Sequence, residues 1–142
     1  PYYGYTYSQS IYSSTLINAA GSITGVKYFA TEATTLETSS EWIVYIGTTE
    51  LTEFETTDSW VDVSQLSQVY NAQTTIAEGV VSITFDTPFE YDGISNIVMA
   101  VEENQQGYDS SNHDLLNEYH LHLHFHLHVL YNHHSFQLLR LG

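Results

Sequence analysis

Hydrophobic and polar positions alternate along most of this chain, and a two-residue period predicts β-strands rather than helices. In the first run, YYGYTYSQSIY, the alternation places Tyr3, Tyr5, Tyr7 and Ile11 on one face. Six further short runs are rich in β-branched and aromatic residues, and each predicts a strand: SITGVKYFA, EWIVYIGTT, SWVDV, SQVYNAQTTI, GVVSITF and NIVMAVEE. Trp42 and Trp60 fall within these runs and are predicted core residues.

Turn-forming pairs separate these runs. The pairs are Ala20-Gly21, Glu78-Gly79, Thr87-Pro88 and Asp92-Gly93. Short strands at intervals of roughly 8–12 residues, punctuated in this way, predict an antiparallel sandwich or barrel.

The C-terminal segment HLHLHFHLHVLY, from His120 to Tyr131, alternates histidine with apolar residues. Leucines at i, i+2 and i+4 would spread around a helix, so a strand over residues 118–131 is predicted. Its apolar face needs a core, and it completes its own sheet or adds to the sheet edge of a second copy. These alternatives stay open. The candidate assembly residues are Leu121, Leu123, Phe125, Leu127, Val129 and Tyr131.

Composition changes abruptly after Asp114. All but one of the 17 acidic residues precede this point, and all but one of the 8 histidines follow it. We therefore predict a β-sandwich module over residues 1–114 and a low-complexity His/Leu tail over residues 115–142. A shifted reading frame is an alternative origin of the tail. Alternating His and Leu codons read one frame over encode mostly Ser, Pro, Thr and Ala.

Charge narrows the classes of partner. The net charge of −15 repels nucleic-acid phosphates and anionic membranes, so neither is an expected partner. No apolar run approaches the roughly 20 residues of a membrane helix. The absence of cysteine excludes disulfides and thiol chemistry. Abundant Tyr, Thr and Ser with almost no Lys is typical of secreted β-rich proteins, so we expect an extracellular or cell-surface location.

Two groups of side chains are candidate metal ligands. The loop VEENQQGYDSSNHD offers oxygen ligands that suit Ca²⁺, and a solvated acidic loop is the alternative. Histidines two apart on a strand have Cα atoms about 6.5 Å apart, close enough to share Zn²⁺ or Cu²⁺, and a solvated polar face is the alternative. The calcium candidates are Glu102, Glu103, Asp109 and Asp114, and the transition-metal candidates are His120, His122, His124, His126 and His128.

Tyrosines at the N-terminus are a candidate stacking platform for sugar rings. The residues are Tyr3, Tyr5 and Tyr7, and the alternative is that they are half-buried rim residues of the sandwich. Catalysis finds little support, because the chain has no cysteine, no Gly-x-Ser-x-Gly turn and no glycine-rich phosphate loop. We therefore expect that this protein is not an enzyme.

Several segments together resemble a known module: INAAGSITGVKYF, EWIVYIGTTELTEFE, ITFDTPFEYDG, NIVMAVEEN and GYDSSNHD. They are similar to a β-sandwich module that recurs in large secreted and surface-anchored proteins of Bacteroidetes-like bacteria, beside adhesin and fibronectin-type domains. The resemblance spans most of residues 4–114 and ends there. It implies a jelly-roll-like fold and an extracellular adhesion or glycan-associated role, and it supplies no catalytic residues.

These patterns together predict an all-β, antiparallel, jelly-roll-like sandwich of seven or eight strands, the His/Leu strand included. The leading functional hypothesis is a non-enzymatic secreted module for adhesion or extracellular structure, which assembles with copies of itself through its C-terminal strand. The alternative is a carbohydrate-binding module with a structural calcium ion. A third hypothesis is a metal-binding or pH-responsive surface built on the histidines.

Overall fold

The computed structural model confirms the all-β antiparallel sandwich. It describes residues 5–29, 35–56, 58–107, 121–125, 129–132 and 135–140. The strands are β1 Thr6–Tyr12, β2 Gly21–Phe29, β3 Glu41–Thr49, β4 Ser67–Gln73, β5 Ile76–Ala77, β6 Val80–Tyr91, β7 Asn96–Glu103, β8 Leu121–Phe125, β9 Val129–Asn132 and β10 Ser135–Arg140. A short helix, α1, spans Ser14–Ile17, and a 3₁₀ helix spans Val63–Gln65. Among the described residues, no helix has the length and apolar character needed to span a membrane.

The described strands form two sheets of five. The first sheet has the order β10-β1-β7-β3-β4, and the second has the order β5-β6-β2-β8-β9. Every pairing in both sheets is antiparallel. The pairs β1–β7, β2–β6 and β3–β4 are nested along the chain and alternate between the sheets, which is the jelly-roll arrangement that the sequence predicts.

The core lies between the two sheets and is built from alternate residues of each strand. Trp42 is 5 % exposed and meets Tyr28 of the opposite sheet edge-on, with ring centroids 5.8 Å apart. The prediction that Trp42 is a core residue is therefore confirmed. The other fully buried apolar members of this core are Ile17, Ile23, Val26, Val44, Ile46, Val81, Ile97 and Met99.

The run SWVDV was predicted as a strand, and this prediction is wrong. The chain leaves the first sheet at the end of β3. Residues 59–66 then cross the outer face of this sheet, which is the face turned away from the core. A Cβ on Gly47 would lie 2.7 Å from Leu66 Cδ2 and 3.3 Å from Gln65 O, so this segment passes close to β3 at its glycine. The physical reason lies in Gln9, whose side chain satisfies both the backbone N–H and the C=O of Val61 in place of a neighbouring strand.

The pair Thr87-Pro88 lies inside β6, so the predicted turn at this position is also wrong. Ile23 of β2 pairs with Phe89, whereas Gly25, two residues on, pairs with Thr84, so the register shifts between them. Because proline has no N–H to give to a sheet, it is tolerated where the ladder is irregular. The strand therefore bends here and continues to Tyr91.

The C-terminal segment pairs with strands of its own chain. β8 lies beside β2, and its residues Leu121, Leu123 and Phe125 stand in register with Tyr28, Val26 and Ile23. Those three residues of β2 belong to the core. At the other side of the sandwich, β10 pairs with β1.

The register of the tail differs from the single strand expected over residues 118–131. β9 pairs back onto β8, which sets Val129 opposite His124 and Tyr131 opposite His122. These two residues are thus in register with histidines rather than with leucines. Leu127 and residues 108–120 lie outside the described residues, so the division into module and tail stays a prediction.

Candidate functional site

The predicted stacking residues Tyr5 and Tyr7 do not lie on one strand. Tyr7 belongs to β1, but Tyr5 precedes the strand with a φ of 59°, in the left-handed region that interrupts an extended chain. The Tyr5 side chain is 48 % exposed. Tyr3 lies outside the described residues.

Tyr7 instead joins aromatic residues from elsewhere in the chain. Its ring centroid lies 5.5 Å from that of Trp60, and Phe54 lies 6.4 Å from Trp60 on the connection between β3 and β4. Tyr45 stands on the same outer face, two strands away from Tyr7. All four side chains are partly exposed, and we call Tyr7, Tyr45, Phe54 and Trp60 the aromatic surface.

Gln9 holds this surface in place. The side chain is fully buried, and its Nε2 donates to Val61 O at 2.6 Å and to the Tyr7 hydroxyl at 2.9 Å. Its Oε1 accepts the Val61 N–H at 2.9 Å. One amide therefore fixes the backbone beside Trp60 and the orientation of the Tyr7 ring at the same time.

Asp62 stabilises the next part of the connection. Its carboxylate accepts the Ser64 N–H at 2.8 Å and caps the 3₁₀ helix, and this hydrogen bond lowers the pKa of Asp62 below its usual value. A charged carboxylate is thereby kept at the border of the aromatic surface.

Glu102 of β7 lies between the two tyrosines of the aromatic surface. It stands in register with Tyr7, and its Oε2 accepts a hydrogen bond from the Tyr45 hydroxyl at 3.2 Å. Burial, followed by the nearby charge of Glu102, raises the pKa of both tyrosines. Both hydroxyls therefore stay protonated at neutral pH and can act as donors.

This arrangement combines flat apolar rings with carboxylates and hydroxyls on rigid strands. A sugar ring has an apolar C–H face of the kind that packs on aromatic rings, and carboxylates such as Glu102 and Asp62 are acceptors of the kind that suits sugar hydroxyls. Half-exposed Tyr and Trp side chains suit such contacts, since one part of each is apolar and another polar. The site is chemically suited to recognition.

The four calcium candidates are not brought together within the described residues. Glu102 and Glu103 are successive residues of β7, so their side chains leave the strand on opposite faces and cannot share one ion. Asp109 and Asp114 lie outside the described residues. In the part of the chain that the structure describes, no three histidine or acidic side chains form a group suited to a metal. A structural calcium ion stays a prediction.

Glu103 is an unusual carboxylate of the inner face. It is 2 % exposed, and its Oε1 accepts the Gln105 N–H at 2.7 Å. Its Oε2 has no hydrogen-bond partner among the described residues. Burial is the largest influence and raises the pKa of Glu103 above its usual value, and Glu41 adds to the rise.

Two of the histidine candidates lie in described strands. His122 stands opposite Lys27 of β2, and His124 stands opposite Gly25. His120, His126 and His128 lie outside the described residues, and a transition-metal site stays a prediction.

Sequence reasoning missed Trp60 and Phe54 as surface residues. Trp60 was predicted in the core, yet it is partly exposed and lies outside the core cluster. The missed signal is the local turn chemistry around it, because Asp58, Ser59 and Asp62 favour turns and caps over strands.

Comparison of the chain with protein-family models, with curated proteins and with solved structures finds no match in any of the three. The likeness to a bacterial surface module therefore stays a prediction.

We expect Gln9→Met to lower the free energy of unfolding by about 2–6 kcal/mol, because two buried backbone groups of Val61 each lose a partner at about 1–3 kcal/mol. Methionine keeps the volume of the side chain. Urea unfolding measures the loss, and a red shift of the Trp60 fluorescence reports the opened connection. Gln68→Met, at an exposed position of β4, is the matched control. Equal stability of both variants would contradict the assigned role.

Glu103→Gln is expected to raise stability at neutral pH. The pKa of Glu103 is higher in the folded state than in the unfolded state. The contribution of the protonated side chain to folding stability is therefore fully present below the unfolded-state pKa of about 4.3, and it is lost as pH rises through the folded-state pKa. Glutamine keeps the acceptor for the Gln105 N–H and carries no charge. Unfolding at pH 4 and pH 7 should show a gain at pH 7 that shrinks in acid. Glu90→Gln, on an exposed carboxylate, should lack this pattern.

Proposed function

We propose that this chain is a non-enzymatic adhesion module of extracellular or cell-surface proteins. The observation that carries the proposal is the aromatic surface, in which partly exposed rings from β1, from β3 and from the connection between β3 and β4 lie beside Glu102 and Asp62. Recognition surfaces are rich in Tyr and Trp because these side chains offer a large contact area at low entropic cost.

The rigidity of the surface supports the same role. Tyr7 and Tyr45 stand on strands of the first sheet, and Trp60 directly precedes Val61, whose backbone the buried amide of Gln9 fixes. A preformed surface loses little conformational entropy when it binds. The resemblance to modules of secreted surface proteins agrees with this role, and so does the strongly acidic composition.

Carbohydrate binding is the second candidate function. It is favoured by the exposed parts of the Trp60 and Tyr7 rings together with the tyrosine hydroxyls, which provide stacking and hydrogen bonding on one face. We include a structural calcium ion in this candidate on the basis of the acidic loop beyond β7. Its ligands would come from Asp109 and Asp114 together with one of Glu102 and Glu103.

The tail has a structural part in the proposal. β8 and β10 extend the second and the first sheet of their own chain through β2 and β1. Such pairing supports sheet completion, while strand addition to a second copy is the other arrangement that the sequence allows.

Trp60→Ala is expected to weaken adhesion about thirtyfold, because removal of an anchoring tryptophan costs about 2 kcal/mol. Binding is measured on a glycan array, on insoluble polysaccharides and on protein-coated surfaces. Trp60→Phe should keep part of the affinity, since it keeps a ring.

Ile94→Ala is the matched control, because Ile94 is an apolar residue, 81 % exposed, on the turn between β6 and β7. Binding to protein surfaces without any glycan binding would remove the second candidate. A loss of stability in Trp60→Ala without any change in binding would reduce the aromatic surface to local packing.

Leu123→Pro tests the tail, since proline interrupts the pairing of β8 with β2. If the pairing is within one chain, the free energy of unfolding falls by about 1–3 kcal/mol and the molecular mass in solution is unchanged. Leu123→Val, which keeps the backbone N–H, should preserve stability. If the pairing joins two chains, the assembly dissociates in analytical ultracentrifugation.

A further inference from the structure

The first sheet ends in β4, which has one described neighbour, β3. β4 is seven residues long, SQVYNAQ, and none of them is charged. The absence of charge is notable in a chain with 17 acidic residues. Edge strands present unpaired N–H and C=O groups and are usually protected by charges or proline against pairing with other chains.

The neighbouring edge of the second sheet carries that protection. β5 covers only the start of β6, through the pairs of Ile76 with Val81 and of Ala77 with Val80. The rest of β6 has Asp86, Pro88 and Glu90, so it offers charges and lacks one N–H. Of the outermost described strands, β4 is the longest, and its sequence contains no such residue.

β4 is firmly placed in the fold. Val69 is 2 % exposed in the core, and the Tyr70 hydroxyl donates to Gln73 O at 3.0 Å. The N–H of Thr74, just after the strand, donates to Ser40 O at 2.7 Å. The edge is therefore preformed, and pairing with it costs little ordering of the chain.

We propose that β4 is a self-association edge, through which two copies of this chain pair antiparallel about a two-fold axis. The first sheets of the two copies would form one continuous sheet. The register of β4 against β3 shifts near Val69, so residues 70–73 form the regular stretch, and a pairing centred on Asn71 sets Tyr70 opposite Ala72 of the second copy. An antiparallel strand pair is self-complementary, which is what a two-fold interface requires.

A self-complementary edge suits a second copy as its occupant, and charge limits where that copy can approach. Two chains of net charge −15 repel each other, so they approach most easily where the contact surface is uncharged. The exposed residues Gln68, Asn71 and Gln73 provide such a surface. Salt screens the remaining repulsion, so self-association strengthens as ionic strength rises, opposite to the behaviour of a contact between unlike charges. The inference goes beyond the proposed function and does not rest on it.

Analytical ultracentrifugation of the full chain over a range of concentrations tests the proposal. We expect a weak dimer with a Kd of roughly 10 µM to 1 mM, as for small interfaces, which becomes tighter in high salt. Asn71→Asp is isosteric and brings two like charges together at the axis, so it should weaken the dimer about fivefold. Gln106→Glu adds the same charge at an exposed loop position and should leave the Kd unchanged.

Other outcomes overturn the proposal. A monomer at every concentration and salt level removes the self-association edge, and so does a dimer that Asn71→Asp and Gln106→Glu weaken equally. Thermal unfolding of each variant establishes that it is folded. Trp60→Ala should dimerise as the natural chain does, so failure of the adhesion proposal is distinguishable from failure of this one.

Discussion

The hydrogen bonds between the Gln9 amide and the backbone of Val61 are the interaction on which the candidate site depends. Backbone polar groups that leave a sheet must find other partners, and a buried group without one costs about 1–3 kcal/mol. Gln9 supplies a donor and an acceptor from the outer face of β1, so the connection after β3 can cross the sheet. Trp60 lies on this connection, so the aromatic surface forms because the connection crosses the sheet.

Alternation along strands explains both the successes and the failures of sequence reasoning. The runs EWIVYIGTT and NIVMAVEE coincide with β3 and β7, because both are long, rich in β-branched residues and central in the first sheet. SWVDV also contains Val and Trp, but it is only five residues long and pairs with none of the described strands. The backbone of this segment instead hydrogen-bonds to Gln9, 52 positions away in sequence, and a local pattern contains no information on such a partner.

The same alternation separates residues that sequence proximity groups together. Glu102 and Glu103 were predicted as joint ligands, yet one contacts Tyr45 on the outer face and the other is buried beneath β7. Because successive side chains of a strand point to opposite faces, the side chains of adjacent residues do not converge on one atom. The aromatic surface shows the converse, since its four rings come from three segments and share one face. The sandwich was predictable from the period, whereas the site depends on long-range contacts that the period cannot reveal.

The proposed adhesion and the proposed self-association have consequences for each other. The aromatic surface lies on the outer face of the first sheet, and β4 lies at the edge of that sheet. Pairing through β4 would therefore extend the sheet that carries the surface and give each dimer two copies of it. A weak single contact with a repetitive surface gains strength when two are linked, because the second binding step becomes intramolecular. A weak dimer and a weak binding surface can thus together produce firm attachment that neither provides alone.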